Sequence, residues 1–217
     1  MNIETIKVKW AENELSQNTY IVEFEDGCIV IDAGCSLELI QNNINKPIKA
    51  VFITHGHYDH ILCIEEYSNK DIPIYANKNI EILLQDITNN ASNIFNSPQT
   101  FNINNINYVE DGQKIEIGKH IIKCVYTPGH STDSMCFILD NIHLFSGDTV
   151  FSVAVGRDDL PTGNTKQLIN SLNKLLNLDY KYLYTGHGRP STKDEQQTNI
   201  PKWLDYLSRK EKQIWEK

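Results

Sequence analysis

The sequence predicts an α/β fold, a four-layer αββα sandwich spanning residues 1–217 as a single domain. Three observations predict it. Apolar, β-rich runs come in two groups, one in each half of the chain. Segments with helical spacing fall between and after them. No linker or shift in composition separates the halves, and the length suits one domain of about 100–200 residues or slightly more.

In the first half, Ile3–Val8 alternates apolar and polar residues, the period of a half-buried strand. Asn18–Phe24 and Cys28–Ile31 are β-rich runs on either side of Glu25-Asp26-Gly27, a hairpin turn, and Asp32-Ala33-Gly34 closes the unit. Leu37–Ile44 reads as a short helix stopped by Pro47, and Ile48–Ile53 as a buried strand. Ile61–Tyr67 and Asn79–Thr88 read as helices, with a strand at Ile72–Tyr75 between them. Asn89–Asn107, rich in Asn, Ser, Thr and Pro, reads as a long loop with a helical turn. The second half repeats the style. Strands at Tyr108–Val109, Lys114–Ile117 and Ile121–Tyr126 precede a hairpin, Met135–Leu139 and His143–Phe145, which turns at Asp140-Asn141. A helix over Thr165–Leu178 and a strand at Tyr182–Tyr184 follow. Ile200, Trp203, Leu204, Leu207, Ile214 and Trp215 recur at helical spacing and predict a C-terminal amphipathic helix, packed on its own sandwich or on a second subunit of a homodimer.

Composition narrows the function. With 20 Lys and Arg against 28 Asp and Glu, the net charge is −8, which repels a nucleic-acid backbone, and no basic stripe offsets it. No window approaches the ~18 apolar residues of a membrane span, and Met1–Thr5 does not resemble an export signal. The five cysteines, Cys28, Cys35, Cys63, Cys124 and Cys136, form no CxxC pair and read as reduced thiols of a cytoplasmic protein.

The chemistry concentrates in Thr54-His55-Gly56-His57-Tyr58-Asp59-His60, directly after an apolar strand. Three imidazoles and a carboxylate within six residues form a dense set of metal ligands. Gly56 lets the chain turn closely around an ion. His130, Asp148 and His187 each follow an apolar strand in a glycine-containing turn, where α/β folds gather their sites. Together these are five histidines and two carboxylates, about what two ions need if one carboxylate is shared. His120 and His143 lack this context and read as structural.

This pattern resembles the metallo-β-lactamase superfamily. The segment Gly147–Phe151 followed by Val155–Asn164 is similar to short bacterial glyoxalase II-like (hydroxyacylglutathione hydrolase-like) enzymes, and the resemblance extends to Gly186–Thr192. It implies that His55, His57 and His130 hold one divalent ion and Asp59, His60 and His187 a second, with Asp148 bridging. Asp32 is implied to orient the His-rich loop from behind. The ions would be Zn²⁺ first, with Fe²⁺ or Mn²⁺ also compatible with all-N/O ligation. The implied activity is hydrolysis of a small thioester or ester through a metal-bridging hydroxide, with Asp59 orienting it and passing its proton on. Arg157 and Arg189 flank the expected mouth and either bind a substrate carboxylate or pair with nearby acidic residues; Tyr58 either lines the pocket or covers it. The sequence departs from the family at Leu62 and Cys63, where relatives carry two glycines, and in having only one helix after His187 where full-length glyoxalase II enzymes add a glutathione-binding domain. Cys63 and Cys35 are expected to pack inside. Competing readings on the same fold are a mononuclear iron persulfide dioxygenase using His55, His130 and Asp148, a lactone hydrolase, a β-lactamase, an RNA-processing nuclease and a non-catalytic metal binder.

Overall fold

In the computed structural model of the protein the described residues are 2–9 and 16–215, with side chains described over 17–212. The expectations for Met1, for the side chains of Ile3–Val8 and for those of Ile214 and Trp215 lie outside them.

The chain forms β1 (Asn2–Lys9), β2 (Ser16–Glu23), β3 (Cys28–Ile31), α1 (Leu37–Asn43), β4 (Ile48–Phe52), α2 (Tyr58–Ile61), α3 (Ile64–Ser68), β5 (Ile74–Ala76), α4 (Ile80–Leu84) and β6 (Ile106–Tyr108). The second half forms β7 (Lys114–Ile117), β8 (His120–Tyr126), β9 (Met135–Leu139), β10 (His143–Gly147), α5 (Thr165–Leu176), β11 (Tyr182–Thr185), β12 (Ser191–Thr192) and α6 (Lys193–Trp215). One sheet runs β1-β2-β3-β4-β5-β6 and the other β12-β11-β10-β9-β8-β7.

Strand periodicity explains the four layers. In β3, Cys28 and Val30 point into the apolar layer beneath α1–α4, while Ile29 and Ile31 point into the layer between the sheets. In β9, Met135, Phe137 and Leu139 face the inter-sheet layer, while Cys136 and Ile138 face α5 and α6. A strand buried on both faces must be apolar throughout, which is why these runs show no alternation in sequence. Ile200 and Leu207 bury α6 against the second sheet. The β9–β10 connection is a tight three-residue turn, Asp140–Ile142, with Asp140 and Asn141 at positive φ, 52° and 55°, and the Ile142 N–H donating to Leu139 O at 3.0 Å.

The expected helix Ile61–Tyr67 is instead two short pieces, α2 and α3, interrupted at Leu62–Cys63. The Cys63 N–H donates to Ala33 O at 2.9 Å and the Ala33 N–H to His60 O at 2.8 Å, so this segment is stapled to the loop after β3 rather than to its own preceding turn. Helical spacing alone does not reveal such a tertiary competitor.

Candidate metal centre

Every ligand-type residue sits just past the end of a strand. β4 leads through Ile53 and Thr54 to His55, β8 leads to His130, β10 ends at Gly147 beside Asp148, and β11 ends two residues before His187. Pairing across the sandwich then brings these ends together. Asn18 N–H donates to Gly186 O (2.7 Å), Gly186 N–H to Gly147 O (2.8 Å) and Met135 N–H to Thr54 O (2.8 Å).

The seven residues converge into three overlapping triads: His55, His57 and His130; His55, His60 and Asp148; Asp59, His60 and His187. Within each, one ligand atom per residue lies within 4.8 Å of the others. His57 Nδ1 is 2.9 Å from His130 Nε2, His187 Nε2 is 3.1 Å from Asp59 Oδ2 and 3.4 Å from Asp148 Oδ2, and His60 Nε2 is 3.4 Å from Asp148 Oδ1. Two atoms each ~2.0–2.1 Å from one ion at tetrahedral angles lie about 3.3 Å apart, so these separations suit shared ligation. Asp148 reaches both groups, since its Oδ2 is also 3.7 Å from His130 Nε2.

Hydrogen bonding behind the site decides which ring nitrogens face it. Asp32 accepts from Thr54 N–H (2.7 Å), Thr54 Oγ1–H (2.9 Å) and His60 Nδ1–H (2.7 Å). Thr54 has one hydroxyl proton and gives it to the carboxylate, so its oxygen accepts from His55 Nδ1–H at 3.1 Å. His130 Nδ1–H donates to Arg157 O at 2.8 Å. In all three rings Nε2 is left with a lone pair directed into the site. His55 Nε2, His57 Nε2, His60 Nε2 and Asp148 Oδ1 are buried with no hydrogen-bond partner among the described residues. Buried polar atoms are normally satisfied, and a cluster of orphaned acceptors around two carboxylates fits cations. Asp32 holds its place with φ +63°, a conformation that Asp tolerates better than most residues.

Charge follows the same division. Burial, helped by neighbouring imidazoles, lowers His55 well below its ordinary value, His57 to about 3, and His130 as well. These rings stay neutral, as metal ligation requires. Burial also disfavours charge on His60 and His187, but the carboxylates outweigh it: Asp59 and Asp148 lift His60 well above normal, and Asp148 lifts His187 to about 10. Burial opposes ionisation of Asp59 and Asp148, yet His60 and His187 hold both below the usual carboxylate range. The two carboxylates thus favour positive charge at this end of the cluster, which is the charge a cation held there would supply.

Two contributors escaped sequence reading. Thr54 relays between Asp32 and His55, as above. Asp133 is fully buried; its Oδ2 accepts the Gly56 N–H at 2.7 Å and its Oδ1 accepts from Ser131 Oγ–H at 2.6 Å, pinning the loop between His55 and His57. The only signal was a carboxyl three residues after His130 in a run of small polar residues.

The profile of the metallo-β-lactamase superfamily matches residues 13–187. The chain belongs to this superfamily. A probable metallo-hydrolase of Bacillus subtilis, YqgX, is 30% identical over 192 residues, 83% of this chain and 90% of that protein. A hydroxyacylglutathione hydrolase of Francisella philomiragia is 31% identical over 180 residues, 80% of this chain but only 63% of the longer enzyme. The BLEG-1 B3 metallo-β-lactamase superposes with TM-score 0.81 at 25% identity over 93% of this chain and 99% of that one. TTHA1623, solved in a di-iron-bound form, superposes with TM-score 0.75 at 25% identity over 90% and 98%.

For the three residues whose role the sequence left open between substrate contact and a structural place, the structure shows the second. Tyr58 is buried in the layer beneath the helices, its ring 5.7 Å from Phe95 and 6.1 Å from Phe101, because the first turn of α2 directs it inward; it does not line a mouth. Arg157 pairs bidentately with Asp159 (2.7 and 2.9 Å) and Arg189 with Glu195 (3.2 Å), so both guanidiniums already hold carboxylates of the chain itself. Arg157 serves the site through its backbone carbonyl. Cys35 is buried and Cys63 half-buried, and burial pushes their thiols up to about 11 and about 12; both pack against the helix-side core. His120 stacks on Phe24 and pairs with Asp140, and His143 approaches Tyr184, both away from the cluster. No helix among the described residues is long and apolar enough to cross a membrane.

Proposed function

We propose that the protein is a dinuclear metal-dependent hydrolase of a small thioester or ester, chemically of the glyoxalase II type. The observation that carries this reading is the completeness of both triads around a shared Asp148. A mononuclear iron dioxygenase would need only His55, His130 and Asp148, leaving Asp59, His60 and His187 gathered within ligand distance of one another without a task.

His55, His57 and His130 would hold one ion and Asp59, His60 and His187 the other. Two divalent ions held there supply a water that ionises near neutral pH and a Lewis acid for the substrate carbonyl. Zn²⁺, Fe²⁺ and Mn²⁺ all suit five imidazoles and two carboxylates, and the di-iron form of TTHA1623 supports iron beside zinc. Asp59 would take the proton of the attacking water and pass it to the departing sulfur or oxygen. The acyl carbon gains the hydroxyl, the C–S or C–O bond breaks, and a thiol or alcohol leaves. A thiolate needs little help to leave, which favours thioesters over amides.

The test is release of free thiol from S-lactoylglutathione and from simple acyl thioesters by protein loaded with zinc or iron, alongside a metal count and a chelator control. Two ions per chain and chelator-sensitive release are expected. A protein that carries two ions and hydrolyses none of these thioesters nor a simple ester overturns the reading, and a lactone and a β-lactam in the same panel then show where the activity lies.

A further inference from the structure

Among the described residues the site is most exposed on the side of His187. The His60 and His130 side chains are 0% and 4% exposed, Asp59 and Asp148 9% and 11%, but His187 is 27% exposed. Among the described residues the ring of Phe151 lies on that side, partly exposed with its centroid 6.1 Å from that of His187. Phe151 begins a tight turn: Val150 bridges to Val155, and Phe151 N–H donates to Ala154 O at 2.8 Å. The tip of the turn is Val153, 70% exposed.

One face of α6 holds this turn in place by its carbonyls. Gln196 Nε2 donates to Phe151 O (3.2 Å) and Ser152 O (3.3 Å), Asn199 Nδ2 to Phe151 O (3.4 Å) and Trp203 Nε1 to Val153 O (3.1 Å). Spacings of three and four residues put these donors on a single stripe of the helix. The indole of Trp203 then meets Tyr206 edge-on at 5.5 Å, and Tyr206 is 54% exposed. Phe151, Val153, Trp203 and Tyr206 thus form a strip of apolar surface running outward from His187. Four hydrogen bonds from three side chains to three carbonyls give it a defined shape. The nearby guanidiniums of Arg157 and Arg189 are engaged by Asp159 and Glu195, so the rim offers an anionic leaving group such as glutathione little uncompensated positive charge.

Resting on the hydrolase reading, we propose that this strip is the specificity surface of the enzyme and takes an uncharged, apolar part of the substrate, so that the preferred thioesters carry a hydrocarbon group rather than the charged glutathionyl moiety. Continuity with the open side of the metal centre identifies the occupant as substrate. A group reaching out past His187 lies on this surface.

The experiment compares kcat/KM of the metal-loaded protein on acetyl, butyryl and hexanoyl thioesters of N-acetylcysteamine and on S-lactoylglutathione. A rise of roughly two- to fourfold per added methylene is expected, from the preference of a methylene for an apolar surface. The hexanoyl thioester should exceed S-lactoylglutathione by about tenfold or more on the same grounds. Val153→Asp, at an exposed tip where folding is insensitive, should flatten the chain-length series mainly through KM. The equivalent change at Ile121, exposed on β8, should leave the series as it is. Calorimetric titration with the non-hydrolysable thioether S-hexyl-N-acetylcysteamine gives a readout independent of turnover; it should bind the wild type and lose affinity in Val153→Asp. A flat series with thioester hydrolysis intact, a preference for S-lactoylglutathione, or thioether binding indifferent to Val153→Asp overturns the proposal. Hydrolysis of no thioester and no simple ester, with the thioether still bound at this surface, overturns the hydrolase reading and leaves the apolar binding surface standing.

Discussion

Asp148 touches both halves of the centre, 3.4 Å from His60 and from His187 and 3.7 Å from His130, so no other side chain substitutes for it. Asp148→Ala should lower metal content and turnover together, by at least tenfold in activity on the scale of lost metal ligation; retention of two ions and full turnover would sink the bridging role. Asp133 makes a different prediction. Burial raises its carboxyl to about 6, with the charge on Asp32 adding to the effect, while Ser131 and Gly56 oppose it. A folded-state value above the unfolded one means that the protonated form favours folding. That stabilisation is complete below about pH 4 and is lost as pH rises through about 6. Asp133→Asn keeps an acceptor for Gly56 N–H and removes the charge, so its melting temperature should gain on the wild type as pH rises from 4 to 7 with chelator in both samples. Asp133→Ala orphans the buried N–H and should cost about 1–3 kcal/mol in denaturant unfolding. An Asn variant whose difference from wild type is independent of pH would exclude the titration.

At the scale of elements, the site depends on how closely strand ends approach one another. A Cβ at Gly186, just past β11, would lie 2.0 Å from Asp148 Oδ1 and 2.8 Å from His60 Cε1. Gly147 takes φ +49°, and a Cβ there would fall 2.4 Å from Thr54 Oγ1. Gly186→Ala should therefore displace Asp148 and reduce bound metal below two per chain in protein whose circular dichroism shows it folded. A variant with unaltered metal content by elemental analysis would show that the backbone has room to yield. The ligand cluster leading into α2 was legible from composition because four ligating side chains in six residues have few other uses. The break between α2 and α3 was not, since it depends on Ala33 competing for the backbone groups of His60 and Cys63. Likewise Tyr58 was legible as a neighbour of the ligands but not as a core residue. The side on which an aromatic falls in a short helix depends on the entry angle of that helix.

Over the whole molecule, three apolar layers hold two six-stranded sheets whose loop ends meet at a cluster of buried ionisable groups. Such a cluster is costly to bury unless cations compensate it. Ions that bind only the folded chain stabilise it by about 4 kcal/mol when free at a thousand times their dissociation constant, which for a chain of this size is a melting shift of roughly 10 °C. Removing the metals with a chelator should lower the melting temperature by that order, and restoring Zn²⁺ or Fe²⁺ should reverse it. Scanning fluorimetry that shows no shift would mean the centre is satisfied without ions.

Read alone, the sequence determined the α/β class, the two strand groups, and the seven residues that the structure gathers into one cluster. Local pattern encodes these: strands buried on both faces must be apolar throughout, and His/Asp clusters at strand ends are rare without a purpose. Tertiary structure alone decided which way Tyr58 faces, that Arg157 and Arg189 are already paired, that Asp133 and Thr54 support the ligand loop, and that α6 clamps Phe151 at the opening. Arg157–Asp159 and Arg189–Glu195 are local pairs whose choice over substrate the sequence left open. The placing of Tyr58, the support from Asp133 and the clamp on Phe151 rest on contacts between residues tens of positions apart. Their geometry depends on how the two sheets pack, which no local periodicity records.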